Sequence, residues 1–167
     1  MLMNEMFILS VDIGIRNFAF TVYCTIESKF ILFRVLDLGK VKDYVARMRE
    51  LSSTPPFQMA DVVLIERQMR SCMKTMAVSL RAFNYEKTVM VAPQSIKRHF
   101  KTAMKKHSKN KKAGVEVARR YLRAQKLDQF EKLKKKDDIA DCILQTIWYL
   151  RNGVPTLLAD SSVTCTE

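Results

Sequence analysis

The segment that most constrains the fold lies near the N-terminus and consists of two apolar runs separated by a short polar stretch. Residues 7–11 and 18–23 are rich in β-branched and aromatic side chains, which favour strands. Gly14 and Asn17 lie between the two runs and are typical turn residues. The pattern predicts a β-hairpin whose first strand is buried on both faces.

Asp12 stands between the two runs, inside this predicted hairpin. An ionised carboxylate in such a place is costly unless a cation or several hydrogen-bond donors satisfy it. Asp12 therefore either caps the turn or binds a cation. The acidic residues further along the chain bear on this choice.

The charge of the chain points to a polyanionic partner. Among the 167 residues, 29 are Lys or Arg and 17 are Asp or Glu, which gives a formal net charge of +12. Such a balance is typical of proteins that bind nucleic acid or an anionic membrane surface. No apolar run approaches the ~18–20 residues of a membrane span. The N-terminus also lacks the basic stretch of a signal peptide.

The length of the chain and its four cysteines bound the architecture and the compartment. We predict a single domain over residues 1–167, in which residues 1–5 and about 156–167 are peripheral tails. The cysteines are scattered and form no CxxC pair, which argues against a zinc site or a disulfide framework. A reducing, intracellular compartment is therefore expected.

Strand and helix signals alternate along the rest of the chain. This order predicts an α/β fold with a mixed sheet, in which an antiparallel hairpin joins parallel strands and helices flank the sheet. The lysine-rich residues 101–112 contain few apolar side chains and are predicted to form a mobile loop. Further strands are predicted at 30–38, 61–66 and 88–92, and helices at 43–51, 69–84, 93–100, 113–125 and 137–151.

Glu66, Asp138 and Asp141 are the other acidic residues whose positions suggest chemistry. Glu66 ends the predicted strand 61–66, and the C-terminal end of a parallel strand faces the crevice in which α/β proteins place their sites. Asp138 and Asp141 are three residues apart and share one face of the last predicted helix. Alternatively, Glu66 is a solvated strand end, and Asp137 and Asp138 complement the helix N-terminus. That alternative accounts poorly for Asp141.

Together, Asp12, Glu66, Asp138 and Asp141 form a candidate metal site. Carboxylates without His or Cys suit Mg²⁺, for which Mn²⁺ can substitute. Two such ions ~3.5–4 Å apart activate a water molecule and stabilise the leaving oxygen in phosphodiester hydrolysis. On a chain that also has the charge of a polyanion binder, these acids predict a metal-dependent nuclease with a pair of ions in each active site.

Three segments of the chain, SVDIGIRNFAF, IERQ and KKKDDIADC, resemble a known family. Their order and context are similar to the Holliday-junction resolvases of the bacterial and fungal mitochondrial type, within the ribonuclease H-like superfamily, and most of all to the poxvirus members. The resemblance covers roughly residues 7–153. It implies a ribonuclease H-like fold and a magnesium-dependent endodeoxyribonuclease that cuts two strands of a four-way DNA junction symmetrically. For a poxvirus protein it also implies the cytoplasm of the host cell.

The resemblance also implies roles for particular residues. Asp12, Glu66, Asp138 and Asp141 match the metal ligands of the family, whose members are homodimers. The family further uses an essential basic residue upstream of the last helix. The candidates for that catalytic residue here, in order of preference, are Lys109 and Lys112, then Lys106 and Lys111.

Residues 94–136 carry all of the excess positive charge. They contain 16 Lys and Arg and 3 Asp and Glu, a net charge of +13 against +12 for the whole chain. Charge concentrated in one segment indicates a docking surface for phosphates, although a solvated helix face would have the same composition. The predicted DNA-binding residues are Lys97, Arg98, Lys101, Lys105, Lys106, Lys109, Lys111 and Lys112.

The predicted helix 69–84 carries more apolar residues than one core-facing stripe requires. The surplus either forms a two-fold interface, which symmetric cutting by a homodimer needs, or belongs to a helix that is sandwiched within one domain. A charge at Met76 or Leu80 would separate the subunits in the first case and unfold the protein in the second.

The leading prediction is therefore a homodimeric, metal-dependent endonuclease that resolves branched DNA. One alternative is a ribonuclease H-like nuclease that acts on another nucleic acid, such as an RNA–DNA hybrid. A second is a non-catalytic nucleic-acid-binding module, against which the presence of all four acids argues. A peripheral membrane protein is disfavoured because no predicted helix combines a cationic face with aromatic anchors.

Overall fold

A five-stranded mixed sheet forms the centre of the fold. The computed structural model describes residues 5–40, 42–101 and 107–152. The strands are β1 (Phe7–Asp12), β2 (Phe18–Cys24), β3 (Lys29–Leu36), β4 (Val62–Glu66) and β5 (Thr88–Val91). Their order in the sheet is β3-β2-β1-β4-β5, with antiparallel pairing among β1, β2 and β3 and parallel pairing among β1, β4 and β5. The predicted mixed sheet is confirmed.

Helices cover both faces of this sheet. One face is crossed by the last described helix, which packs on β1 and β2 and lies beside the helix that begins at His107. The other face is covered by a pair of helices that also pack against each other. The described helices are α1 (Tyr44–Ser52), α2 (Pro55–Met59), α3 (Ser71–Phe83), α4 (Pro93–His99), α5 (His107–Arg119), α6 (Ala124–Glu131) and α7 (Lys136–Asn152).

Strand β1 is buried on both faces, as predicted. Successive side chains of a strand point to opposite faces. Ile8 therefore joins the core beneath α7, whereas Leu9 joins the core beneath α1 and α3. Leu64 and Val63 of β4 divide between the two cores in the same way. This alternation decides which face of the sheet receives the polar residues at the strand ends.

The turn between β1 and β2 requires glycine at its second position. A Cβ atom added to Gly14 would lie 2.6 Å from the carbonyl oxygen of Asn17. The position of the added Cβ is fixed by the backbone of residue 14, and the oxygen that it meets is itself a backbone atom. Neither atom can therefore move aside unless the turn changes shape. The close approach closes the hairpin and leaves Asp12 paired with Ala19 in the ladder.

The predicted mobile loop at 101–112 is wrong from residue 107 onwards, because α5 begins at His107. The lysines of residues 107–112 provide little apolar surface. The helix continues, however, into Val115 and Ala118, which pack in the core beneath α7. Tertiary packing of this kind commonly supplies most of a helix's stability. The helix predicted at 113–125 is also divided, since α5 ends at Arg119 and α6 begins at Ala124.

Helix α3 is sandwiched within the domain along much of its length. Met76 and Leu80 are fully buried in the core that α1 and α3 share. A charge at either position would therefore unfold the protein, and neither residue can serve as a test of a subunit interface. Val78 and Phe83 remain exposed, at 66% and 36% of their surface.

The ends of the chain lie largely outside the described residues. This holds for residues 1–4, for the predicted helix stop at Gly153 and Pro155, and for the predicted tail at about 156–167. Helix α7, predicted at 137–151, is confirmed with one further residue at each end. None of the described helices is long and apolar enough to cross a membrane.

Candidate active site

Asp12 and Glu66 occupy neighbouring positions at the C-terminal ends of two parallel strands. The last pair in the register of β1 and β4 is Val11 with Ile65, so the next residue of each strand is an acid. Both acids follow the alternation of Ile8 and Leu64, which face α7. The sheet therefore directs both carboxylates towards the beginning of that helix.

Helix α7 brings Asp138 and Asp141 to the same place. Burial raises the pKa of the Asp12 carboxyl well above its ordinary value, and the negative charges of Glu66, Asp141 and Asp138 raise it further. The pKa of Asp141 rises to about 7 because burial and the charge of Glu66 both disfavour its ionised form. The structure thus brings together all four acids that the sequence singles out.

Asp141 lies in a recess instead of inside the core. Its side chain keeps substantial contact with solvent, although the surrounding protein desolvates the carboxyl enough to raise its pKa. Lys97 of α4 partly offsets this rise through its positive charge, and it acts in the same sense on the pKa of Glu66. Lys97 was predicted to bind DNA and also faces the acids.

Asp138 contributes an unpartnered oxygen to this group. Its pKa is raised by burial and by the neighbouring charge of Asp137, and its Oδ2 is buried without a hydrogen-bond partner among the described residues. Four repelling carboxylates with a free oxygen among them fit the hard-oxygen preference of a divalent cation. As the side chains are placed, no three acidic, His or Cys residues of the described chain enclose a metal position. Coordination would therefore require the carboxylates to rotate towards one another.

Three polar contacts hold α7 on the sheet next to the acids. The hydroxyl oxygens of Ser10 and Thr146 are 2.6 Å apart and both side chains are fully buried. The Sγ atom of Cys142 is 3.5 Å from the carbonyl oxygen of Ala19, which is the partner of Asp12 in the pairing of β1 with β2. The third contact comes from Gln145, whose Nε2 donates to the carbonyl oxygen of Val11 at 3.4 Å.

Gln145 is a residue of the site that the sequence analysis missed. It is fully buried, and its polar side chain lowers the pKa of the nearby Glu66 carboxyl against the larger, opposite effect of burial. Asp138, Asp141 and Gln145 follow one another at helical spacing along one face of α7. An amide at that helical spacing from the two acids was the available signal.

Comparison with known proteins decides the family. The sequence profile of the poxvirus A22 protein family matches residues 6–152. The chain belongs to the poxvirus A22 protein family. The resemblance to poxvirus resolvases that the sequence suggested is therefore confirmed. No curated protein sequence gives a significant match.

Solved structures place this A22 family member among resolvases. The fowlpox virus resolvase, in complex with substrate Holliday junction DNA, is similar at 25% identity and a TM-score of 0.68, covering 88% of this chain and 98% of that chain. RuvC of T. thermophilus, in complex with a Holliday junction substrate, is similar at 14% identity and a TM-score of 0.58, covering 89% and 96%. Another Thermus thermophilus RuvC structure is similar at 15% identity and a TM-score of 0.58, covering 89% and 97%. The ribonuclease H-like fold is confirmed.

The lysine that the A22 family member brings to its acids is Lys111. It forms an ion pair with Asp137, and its positive charge lowers the pKa of Asp12 and of Asp138. Lys112 lines the groove beside it. The side chain of Lys109 and the residues Lys105 and Lys106 lie outside the described part of the chain.

A basic groove lies beside α5. It has a volume of about 820 Å³, and Asp137, the residue before Asp138, is among the residues that line it. Lys134 and Lys136 line it, although neither is among the predicted DNA-binding residues. Further along, Arg119 lines the groove and is paired with Glu116 and Glu131. The cations whose charges lower the pKa values of the four acids are Lys97, Lys111 and Lys135.

Proposed function

We propose that this protein is an endonuclease that resolves Holliday junctions by hydrolysing phosphodiester bonds at paired positions. The observation that carries the proposal is the convergence of Asp12, Glu66, Asp138 and Asp141, from two strands and one helix, beside a basic groove. Membership of the A22 family and the similarity to a resolvase that was solved with its junction support the choice of substrate.

The four carboxylates are the residues that would hold divalent metal. All four have raised pKa values, so each gains from a cation that favours its ionised form. Oxygen ligands alone favour Mg²⁺, with Mn²⁺ as a substitute, and we propose a pair of ions in each active site. Such ions supply an activated water and stabilise the leaving oxygen.

The protein's own residues position the substrate around these acids. Lys111 lies at the mouth of the site and is the lysine that we propose to contact the phosphate at which cleavage occurs. A cation held there stabilises the negative charge that develops in the transition state. This choice differs from Lys109 and Lys112, which the sequence analysis favoured.

The groove beside α5 is proposed to carry the DNA backbone. Lys112, Lys134 and Lys136 line it without forming part of the acidic cluster. Lysines of this kind contact phosphates and read no bases, so recognition should depend on the shape of the junction and weaken steeply with salt. On the other side of Glu66, Lys97 and Arg70 line a smaller pocket of about 350 Å³. Arg98 and Lys101 are exposed on and after α4 and extend the basic surface.

The active form is proposed to be a homodimer, because paired cuts require two sites on one junction. The exposed face of α3 is the surface that we assign to the interface. Val78 and Phe83 lie on it, and Arg49 of α1 stacks over the Phe83 ring at 5.3 Å. We further propose one ribonuclease H-like domain per chain, acting in the cytoplasm of an infected cell as the poxvirus family suggests.

The direct test is cleavage of labelled substrates with Mg²⁺ or with EDTA. We expect symmetric cuts in a four-way junction, little cutting of linear duplex, and no cutting in EDTA. A preference for RNA–DNA hybrid would instead support the alternative ribonuclease. Asp12→Asn and Glu66→Gln should abolish cleavage and preserve or tighten junction binding, since each removes an acid that repels phosphate. Asp128→Asn, an exposed acid of α6, is the matched control. Junction binding without cleavage by the wild-type protein would overturn the proposal.

A further inference from the structure

A second basic cavity lies at the end of the sheet opposite the four acids. In the sheet, Lys29 pairs with Cys24, and Cys24 pairs with Phe7, the first residue of β1. Asp12 is the last residue of β1, so the cavity and the acids are separated along the strand direction by roughly 17 Å. The cavity has a volume of about 420 Å³ and is lined by Glu27, Lys29, Phe30, Ile31, Tyr121, Leu122, Arg123 and Lys126.

Lys126 is a half-buried cation of this cavity that the fold holds without an acidic partner. Its Nζ donates to the carbonyl oxygen of Ile31 and to Oε1 of Gln129, each at 2.9 Å. An ammonium group has three N–H donors, so these two bonds leave one donor for another partner. In the part of the chain that the structure describes, neither Lys126 nor Arg123 forms an ion pair with an acid.

The balance of charge in the cavity favours an anionic ligand. Glu27 is ion-paired with Lys29 at 2.7 Å, which leaves the charges of Arg123 and Lys126 uncompensated. Burial and the positive charge of Lys29 lower the pKa of Lys126, so the fold holds this ammonium in its charged form at a cost. A phosphate in the cavity would offset that cost, because a nearby negative charge favours the ionised lysine.

The cavity follows the basic groove along the chain. Arg119 lines the groove, and Tyr121, two residues later, lines the cavity. Lys111 lies near the other end of α5, about 12 Å from Arg119 along the helix axis. A duplex arm that lies along α5 would therefore extend from the acids towards the cavity. Each strand of a duplex has one phosphate per ~3.4 Å of its axis, so roughly 17 Å corresponds to about five nucleotides.

We propose that this cavity binds a backbone phosphate of a junction arm, about five nucleotides from the phosphate that is cleaved. The inference rests on the proposed junction resolvase and adds a contact at the far end of the sheet. Arg123 and Lys126 bind the phosphate oxygens. A phosphate contact of this kind reads no base but fixes the position of the arm on the protein.

Junctions with single neutral linkages test this contact. A methylphosphonate replaces one phosphate at a time, from about three to about eight nucleotides from the cleavage position, and binding is measured in EDTA. The wild-type affinity should fall about 3-fold to 5-fold when the neutral linkage occupies the cavity. Lys126→Gln removes the charge and should bind that junction and the unmodified one equally. Its matched control is Lys87→Gln, because Lys87 is also half-buried and donates to a backbone carbonyl, that of Phe57, near the opposite edge of the sheet. The control should respond as the wild type does.

The outcomes separate this site from the proposed nuclease. An equal response of the wild type and Lys126→Gln at every linkage would overturn the phosphate site. The nuclease would still stand, because cleavage of the unmodified junction tests it independently. Arg123→Gln, at an exposed position, gives the same test if Lys126→Gln does not fold. A titration with inorganic phosphate, followed by nuclear magnetic resonance, distinguishes a free anion from DNA. Saturation of the cavity by inorganic phosphate, without any effect of the neutral linkages, would overturn the assignment to DNA.

Discussion

Lys111 of α5 is ion-paired with Asp137, the residue immediately before Asp138, one of the proposed metal ligands. The pair ties the start of α7 to the part of α5 that composition alone had marked as a loop. It also places one ammonium group among four carboxylates, where its hydrogen bond to Asp137 raises the lysine's own pKa. Lys111 therefore remains charged at neutral pH and is available to a phosphate.

Removing this lysine should impair chemistry more than binding. We expect Lys111→Ala to lower the rate of junction cleavage about 100-fold, with a smaller change in junction affinity. Lys112→Ala should instead weaken junction binding. It should also reduce the slope of log affinity against log salt concentration by about one unit. Single-turnover cleavage and binding titrations at several salt concentrations measure both effects. A cleavage defect confined to Lys109→Ala would transfer the role to Lys109.

The metal-free protein should lose stability as pH rises from about 4 to about 7. Asp141 has an ordinary pKa of 3.8 and a folded-state pKa of about 7, so the native state holds a proton that the unfolded chain has lost. The raised pKa values of Asp12, Glu66 and Asp138 act in the same direction. The lowered pKa of Asp137 affects stability only below about pH 4, where the unfolded chain takes up a proton before the native state does.

Thermal unfolding in EDTA measures this pH dependence. The wild-type Tm should fall between pH 5 and pH 8, and Asp141→Asn should show a smaller fall because its side chain does not ionise. Adding Mg²⁺ at pH 8 should raise the wild-type Tm, since a ligand that binds only the native state stabilises it. A wild-type Tm that increases from pH 5 to pH 8 in EDTA would contradict the prediction.

Alanine at two glycines should have opposite effects. Gly14→Ala introduces a backbone clash at 2.6 Å and should cost about 1–3 kcal/mol of unfolding free energy, with reduced cleavage because the turn follows Asp12. Gly114→Ala places its Cβ 3.8 Å from Leu144 and 3.9 Å from Asp141, which are ordinary contacts. Because position 114 lies in the middle of α5, Gly114→Ala should raise the free energy of unfolding by roughly 0.5–1 kcal/mol. Urea unfolding of both variants provides the comparison.

A charge on the exposed face of α3 should separate the subunits without unfolding them. Val78→Glu is the test because this side chain is 66% exposed, and Ile26→Glu, at 53% in the turn before β3, is the control. In sedimentation the wild type and the control should have twice the 19.4 kDa mass of one chain. Folded Val78→Glu monomers should nick one strand of a junction. A wild type that is monomeric on the junction yet makes paired cuts would contradict the assignment.

Much of the fold and all four acids could be predicted because their signals are local. Strand β1 is a continuous apolar run, and an acid beside such a run is conspicuous. Asp138 and Asp141 are related by helical spacing alone. The first part of α5, residues 107–112, was missed because it is polar and rich in lysine, and its helicity depends on Val115 and Ala118 packing under α7.

The choice among the lysines could not be made from sequence for a related reason. Lys109, Lys111 and Lys112 are equivalent in composition, and only the rotation of α5 about its axis decides which one meets Asp137. Gln145 was missed because its role depends on two strand ends that are more than 70 residues away in the chain. Neither relationship exists before the helices dock on the sheet.

The placement of half of the acids on α7 has a consequence for synthesis of the protein. A ribosome that has completed the sheet and every helix up to α6 has produced a chain with Asp12 and Glu66 but without their two partners. Because α7 also supplies much of the core beneath one face of the sheet, that shorter chain lacks both its full charge set and its packing. We therefore expect nuclease activity to arise only when α7 has been made and the fold is complete.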